Sequence, residues 1–153
     1  MNITVQQGEI QKKAADVLVV NLFNGTRPSG ASGAVDKAIG DQISAAIDLG
    51  DFRGKSGETL LLYTQGRAPS PRVLVIGLGQ AKDFDLEKAR TAAGTAISAL
   101  AHLGAKNAAT ILHGTGAGKL PVVAAAQAVA EASLLAAYRF DGYRACDRSH
   151  PLK

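Results

Sequence analysis

The run from Asp16 to Phe23, DVLVVNLF, constrains the fold of this chain more than any other stretch. Its apolar residues follow one another without alternation, which suits a strand that is covered on both faces by other elements. The next stretch, NGTRPSGASG, is rich in Gly, Ser and Pro and predicts a loop. A helix is then predicted from Ala34 to Leu49, because apolar residues recur there every four positions. A buried strand, a glycine-rich loop and an amphipathic helix in this order favour an α/β fold.

The rest of the chain continues the pattern. Residues 3–7 alternate in polarity and predict an edge strand. Further strands are predicted over 58–63, 72–77 and 108–113, and further helices from Asp83 or Asp85 to Leu103 and from Pro121 to about Tyr138. Such a succession predicts three layers, with helices on both faces of a mixed, mostly parallel sheet. Since no internal repeat and no second core are visible, one domain is expected.

Composition limits the classes of partner. The formal net charge of +4 permits nucleic-acid binding, but the Lys and Arg residues are scattered, so nucleic acid is not the favoured partner. No apolar run approaches the ~18 residues that a membrane-spanning helix needs, so no membrane partner is expected. The only cysteine, Cys146, lies in a polar segment and predicts a bland thiol rather than a nucleophile. One thiol cannot form an internal disulfide, and a cytoplasmic location is expected.

No catalytic constellation is visible. His102, His113 and His150 are far apart, and none has metal-ligand spacing around it. The stretch GTGAGK is not a phosphate-binding P-loop, because Lys119 is followed by Leu120. We therefore predict no catalytic residue, no metal site and no cofactor in this chain.

Two glycine-rich loops remain as candidates for ligand binding. Gly25–Gly33 and Gly114–Gly118 both follow predicted strands. In open α/β sheets, ligands bind at the carboxyl ends of the strands, where bare N–H groups can hold phosphate. The alternative is that these glycines only turn the chain.

Several runs line up in an order that resembles the N-terminal domain of the leucyl aminopeptidase family, the cytosolic two-metal exopeptidases. The runs are DVLVVNLFNG, SGAVDKAIG, DFRGKSGETLLLY, PRVLVIGLG and LLAAYRFDGY, and the third and fifth are the more specific. The resemblance covers residues 3–143. Residues 144–153 would then be a polar tail that leads toward a catalytic domain absent from this chain.

The resemblance implies a macro-domain-like, non-catalytic unit with an accessory or assembly role. In the family, the peptidase site lies in a C-terminal domain, where Asp, Glu and Lys side chains hold two divalent metals, Zn or Mn. The family's N-T-D-A-E-G-R run is absent here. The parent enzyme would remove N-terminal residues from peptides and assemble as a hexamer. The partners implied are thus the C-terminal catalytic domain and further copies of the parent enzyme.

A second resemblance is to the macro domains that bind ADP-ribose, which is the alternative function. It rests on Gly8-Glu9-Ile10, on Val20–Asn24 and on Ser29–Val35. It implies that Glu9 would meet adenine, that Asn21 or Asn24 would meet the distal ribose, and that Gly30 and Gly33 would meet the phosphates. Glu stands where that family has Asp, and the bulky Leu22 and Phe23 stand where it has alanines. These departures predict weak or absent ADP-ribose binding.

The end of the last predicted helix carries a group of large apolar side chains: Leu135, Tyr138, Phe140 and Tyr143. Exposed clusters of this kind often mark an interface. We therefore predict that this end of the domain meets another domain.

Overall fold

The central strand of the sheet is β1, which comprises Val17–Leu22. The computed structural model describes residues 1–138 of the chain. The predicted interface residues Phe140 and Tyr143 and the predicted tail at 144–153 lie outside the described residues. The other strands are β2 (Thr59–Tyr63), β3 (Arg72–Gly77) and β4 (Ala108–Thr110), and the helices are α1 (Gly30–Ala38), α2 (Gln42–Asp48), α3 (Leu86–His102) and α4 (Val122–Ala137). Two short 3₁₀ turns lie at Ile10–Lys12 and Ala81–Asp83.

The four strands form one sheet in the order β2-β3-β1-β4. Strand β1 is parallel to both β3 and β4, and Val19 lies opposite Leu74 on one side and Thr110 on the other. Strands β2 and β3 are antiparallel. The sheet is thus mixed and mostly parallel, as predicted.

Alternate side chains of β1 enter two different cores. Val17 and Val19 pack with Leu74 and Ile76 against α3. Leu18, Val20 and Leu22 pack with residues of α1 and α2, including Val35 and Ile39, on the opposite face. Because both faces of the strand are covered, its continuous apolar run is explained. The prediction of three layers is confirmed.

The predicted helix 34–49 is wrong as a single element. The helical path breaks at Gly40 and Asp41, which have φ angles of 81° and 58°, and α1 and α2 lie on either side. The carboxylate of Asp36 is buried and accepts hydrogen bonds from the Ile43 amide at 2.7 Å and the Ser44 hydroxyl at 2.6 Å. Asp36 therefore caps the start of α2 from within α1.

Two predicted strands also need correction. Residues 3–7 form no strand within the described part of the chain, because they pair with no other strand there. An alternating segment without a neighbour cannot satisfy its backbone by strand pairing. Strand β4 ends at Thr110, three residues earlier than predicted, and the chain then turns so that His113 is buried.

The last two helices agree closely with the sequence. Helix α3 begins after Asp85, whose carboxylate accepts from the Lys88 amide at 2.8 Å. Helix α4 follows Pro121, as expected from the tolerance of proline in a first helical turn. Across residues 1–138, no helix combines the length and the apolar character needed to cross a membrane.

Candidate functional site

The two glycine-rich loops meet beyond the carboxyl end of β1 and enclose a cleft of ≈ 330 Å³. One wall consists of residues 26–32 and the other of residues 111–117, with Asn21, Leu22 and Phe23 between them. The prediction that both loops lie at strand ends is therefore confirmed, and they share one site. This position, at the ends of parallel strands, is where α/β sheets commonly hold ligands.

The first wall is the start of α1. Gly30 has a φ of 55° and open space where a Cβ would stand, and no side chain caps the helix at Ser29. The first amides of a helix have no partner within it, and the helix dipole is positive at that end. The Ser32 hydroxyl donates to the Asn21 carbonyl at 2.7 Å and ties this end of α1 to β1. The wall thus presents N–H donors on a fixed support.

The second wall is shaped by close packing on Phe84. A Cβ on Gly114 would stand 2.1 Å from Cε1 of Phe84, and one on Gly118 would stand 2.6 Å from the Gly114 carbonyl oxygen. Phe84 meets Phe23 edge to face, with ring centroids 5.1 Å apart. Only glycine fits at these two places in the loop. Sequence reasoning missed the role of Phe84, since nothing near it in the chain signals that contact.

A hydrogen bond joins Asn21, which lines the cleft, to a buried side chain far away in sequence. The Asn21 side-chain amide nitrogen lies 2.9 Å from Nδ1 of His113. An amide nitrogen can only donate, so Nδ1 accepts and the ring proton lies on Nε2. His113 is buried, and this burial lowers the pKa of its imidazole to about 4. The imidazole is therefore neutral near pH 7, and its Nδ1 accepts the hydrogen bond that orients the Asn21 side chain.

The charge in the cleft comes from one side chain. Within the described residues, Arg27 is the charged side chain that lines it. The guanidinium is paired with Asp48 and also donates to the Ser44 carbonyl at 3.4 Å. The hydrogen bond with Asp48 raises the pKa of Arg27 above its ordinary value. The guanidinium is thus positively charged but already partnered.

The structure brings only part of the predicted ligand set together. Asn21 and Gly30 line the cleft, whereas Glu9, Asn24 and Gly33 are not among its lining residues. Glu9 is exposed and paired with Lys12, whose hydrogen bond holds the pKa of Glu9 below its usual value.

The two bulky residues at the end of β1 do not close the cleft. Leu22 is buried with α1 and α2, and Phe23 is buried with α3. Because both side chains point into the cores, the space above them stays open.

The run DFRGKSGE has a structural role beside the cleft. A Cβ on Gly54 would stand 2.7 Å from the Phe23 carbonyl oxygen, so the segment lies directly against the end of β1. The Gly79 amide donates to the Gly54 carbonyl at 2.9 Å, and the Asn24 amide donates to the Gly79 carbonyl at 2.8 Å. The Glu58 carboxylate accepts from the amides of Arg53 and Lys55. This run therefore joins the ends of β1 and β3 instead of supplying catalytic groups.

No group of three or more His, Cys, Asp or Glu side chains in residues 1–138 is arranged to hold a metal ion. The chemistry available at the cleft is thus hydrogen bonding from backbone amides, Asn21 and Arg27. That arrangement suits the binding of an anion and does not assemble a nucleophile with a base.

The described residues form an α/β domain, and comparison with known proteins identifies its family. The chain belongs to the cytosol aminopeptidase family, whose N-terminal domain matches residues 6–146. A probable cytosol aminopeptidase of Geobacter sp. (strain M21) is 35% identical over 148 residues, which are 97% of this chain and 29% of that protein. Its counterpart in Alkaliphilus oremlandii (strain OhILAs) is 30% identical over 150 residues, which are 97% of this chain and 30% of that protein. The chain thus spans less than a third of either relative.

Solved structures agree on the fold. A mutant of tomato leucine aminopeptidase superposes with a TM-score of 0.78 at 21% identity, over 97% of this chain and 30% of that one. The bottromycin maturation enzyme BotP in complex with Mn gives a TM-score of 0.64 at 28% identity, over 86% of this chain and 25% of that one. The Oceanobacillus iheyensis macrodomain with ADP gives 0.64 at 18% identity, over 84% of this chain and 72% of that one. The macro-domain-like fold is thereby confirmed.

Proposed function

We propose that this chain is the non-catalytic N-terminal domain of a cytosolic two-metal leucyl aminopeptidase, with an accessory or assembly role. The observation that carries the proposal is that the chain matches the N-terminal domain of that family and spans about 30% of the first relative's length. The peptidase site then belongs to the C-terminal catalytic domain, which removes N-terminal residues from peptides. The relatives' name supports a cytoplasmic location.

The metals and the assembly belong to the parent enzyme in this proposal. We place two divalent metals, Zn or Mn, in the catalytic domain, and the structure of BotP in complex with Mn supports Mn as one of these choices. The partners of this domain are then the catalytic domain and other copies in a hexamer. Within residues 1–138, the family-specific run at 53–58 holds the ends of β1 and β3 together. This structural role is consistent with an accessory domain.

A fusion enzyme tests the accessory role. The matched region of the Geobacter relative is replaced by this chain, and hydrolysis of Leu-p-nitroanilide with Mn²⁺ is measured. We expect the fusion to retain turnover, because a domain of the same family supports the catalytic domain. The matched control carries an unrelated folded domain of similar size at the same place. Equal turnover in the two fusions would refute a specific accessory role.

Nucleotide binding is the second candidate function, and the cleft is the observation that favours it. One of its walls is the start of α1, whose first amides have no partner within the helix, and a macrodomain of the same fold has been solved with ADP. Glu9, the residue expected to contact the adenine of ADP-ribose, is paired with Lys12 and does not line the cleft. We therefore expect a dissociation constant for ADP-ribose no better than about 1 mM, roughly −4 kcal/mol.

Calorimetry with ADP-ribose, ADP and inorganic phosphate tests the second candidate. Gly116→Phe is the blocking variant, because Gly116 lines the cleft and has open space where its side chain would start. Low-micromolar binding of ADP-ribose that Gly116→Phe abolishes would make the domain a nucleotide-binding module. Heat that is the same in both proteins would come from binding elsewhere.

A further inference from the structure

Helix α4 is apolar on nearly every side. Among its 16 residues, only Gln127, Glu131 and Ser133 are polar. A helix that is apolar all round is normally buried all round. In residues 1–138, however, α4 packs chiefly on one neighbour, α3.

The buried side of α4 is narrow. Ala125, Ala128, Val129 and Ala132 are buried, and Val129 and Ala132 pack with Ala93 of α3. Large exposed side chains outside this buried strip form what we call the outer α4 face: Val123 at 81% exposure, Leu134 at 50%, Leu135 at 77% and Tyr138 at 71%. At about 100° per residue, Val123, Leu134 and Tyr138 lie within roughly 60° of one another around the helix.

Helix α3 shows that the fold does not require an apolar outer surface. Its exposed positions include Glu87, Thr91 and Ser98, and the Thr91 hydroxyl donates to a backbone carbonyl of its own helix. The contrast is local to α4. Exposed apolar side chains grouped near one end of a helix often mark a contact with another molecule or domain.

One charged residue borders the outer α4 face. The one ionisable residue within α4 is Glu131, which is bonded to Gln127 and Arg90. The hydrogen bond from Gln127 lowers the pKa of Glu131, so it is ionised and already partnered. An apolar surface with its nearest carboxylate engaged elsewhere suits an apolar partner.

We propose that the outer α4 face docks on the polypeptide that follows this domain in the full-length aminopeptidases. This inference rests on the proposed function. The matched domain is N-terminal, and the Alkaliphilus relative has about 70% of its length outside the match. Three of the four exposed residues lie at the C-terminal end of α4, at positions 134, 135 and 138. They thus lie where the chain passes from this domain toward the next.

The alternative occupant is a second copy of this chain. Contacts between domains of one chain commonly bury about 600–1,500 Å², which a patch extended around four large side chains can supply. A second copy would have to bury the same face in the isolated protein, so the two occupants differ in whether the free chain is monomeric.

Thiol labelling tests the docking surface. In a Cys146→Ser background, Leu134→Cys and Tyr138→Cys are labelled in the free chain and in the fusion with the rest of the Geobacter relative. We expect labelling in the fusion to be at least about tenfold slower, because a docked side chain is shielded from the reagent. The control is Tyr63→Cys on β2, where Tyr63 is 60% exposed, and its labelling rate should stay within about twofold.

The outcomes separate the two claims. An active fusion in which positions 134 and 138 label as fast as in the free chain would overturn the docking inference and leave the proposed function in place. An inactive but folded fusion with unprotected positions would count against both. Protection in the free chain together with a dimeric mass in light scattering would assign the face to a second copy.

A second variant keeps the inference testable if the fusion does not fold. Leu134→Glu with Leu135→Glu in the free chain should leave its urea midpoint and its monomeric mass unchanged, because both positions are open in the isolated domain. A large fall in the midpoint, or a change of mass, would show that the face is already covered and would overturn the inference.

Discussion

The run 53–58 contains two glycines that differ in their surroundings. Substituting each of them allows the free-energy cost of a left-handed backbone to be measured separately from the cost of a steric clash. Gly54 and Gly57 have φ angles of +77° and +79°, but only Gly54 would place a Cβ against the backbone, 2.7 Å from the Phe23 carbonyl oxygen. Both alanine variants should lose about 1 kcal/mol for the left-handed conformation. Gly54→Ala should lose about 1–3 kcal/mol more, because the end of β1 must move. Urea unfolding of the two variants measures the difference, and equal losses would contradict the close contact.

The buried imidazole of His113 makes stability depend on pH. Burial lowers the pKa of His113 from 6.5 to about 4 in the folded chain. Between these values the unfolded chain binds more protons, so this contribution is fully present above pH 6.5 and is lost as the pH falls toward 4. The loss should be on the order of 2–3 kcal/mol.

His113→Gln isolates that contribution. Urea unfolding at pH 7 and at pH 4.5 should show a smaller fall in unfolding free energy for this variant than for the wild type. The exposed His102 of α3 gives the matched control, and His102→Gln should keep the wild-type fall. If His113→Gln also keeps that fall, His113 is not buried neutral in solution.

For single residues, the sequence could indicate which side chains lie near a site, but it could not indicate which side chains they bond to. Asn21 was predicted to touch a ligand, and it lines the cleft, where its side chain is bonded to the buried His113. The hydrogen bond between them joins residues 92 positions apart, which no local pattern encodes. Likewise, Glu9 was nominated from a short match, but its ion pair with Lys12 is visible only in the structure.

At the scale of elements, the cap of α2 comes from the preceding helix. Asp36→Ala removes an acceptor from the Ile43 amide and the Ser44 hydroxyl and leaves buried donors without a partner. We expect a loss of about 2–3 kcal/mol in unfolding free energy. Asp41→Asn is the control, because Asp41 makes no capping bond and asparagine also tolerates the left-handed conformation, so its effect should stay within about 0.5 kcal/mol. Similar losses in both variants would show that Asp36 is not the cap.

The elements that sequence predicted well are those whose signals are local. The strands at 59–63 and 72–77 and helix α3 lie close to their predicted bounds, because apolar runs, a capping Asp and a closing glycine marked them. The break between α1 and α2 was missed, since apolar residues recur every four positions straight through Gly40. The prediction of an edge strand at 3–7 was wrong. Alternating polarity indicates that one side of a segment is apolar, whereas a strand also needs a neighbouring strand to pair with its backbone.

For the whole molecule, we expect no peptidase activity from this chain alone. Two-metal hydrolysis needs ligands that generate hydroxide and hold the oxyanion. The assay uses Leu-p-nitroanilide with Mn²⁺ or Zn²⁺, with the intact Geobacter relative as the positive control. Turnover that co-purifies with homogeneous protein would contradict the expectation.

The family could be predicted from sequence because its specific runs serve the fold. DFRGKSGE is recognisable because Gly54 permits contact with the end of β1 and Glu58 closes the turn. The role of the cleft could not be predicted in the same way. Its first wall offers backbone amides at the start of α1, which every residue except proline has, so the direction of these donors is set by the fold and not by residue type.

The attachment of α4 also sets how the domain opens. Its buried side is mostly alanine, and each alanine removes little apolar area from water when it packs on α3. Strands β1 and β3 lie between two cores and separate only when the whole domain unfolds. Helix α4 can therefore detach as a unit at a lower free energy, and its amides should exchange with solvent before those of the central strands. A neighbour that covers the outer α4 face would raise the free energy of detaching α4. The amide hydrogens of the helix would then exchange with solvent as slowly as those of the rest of the domain.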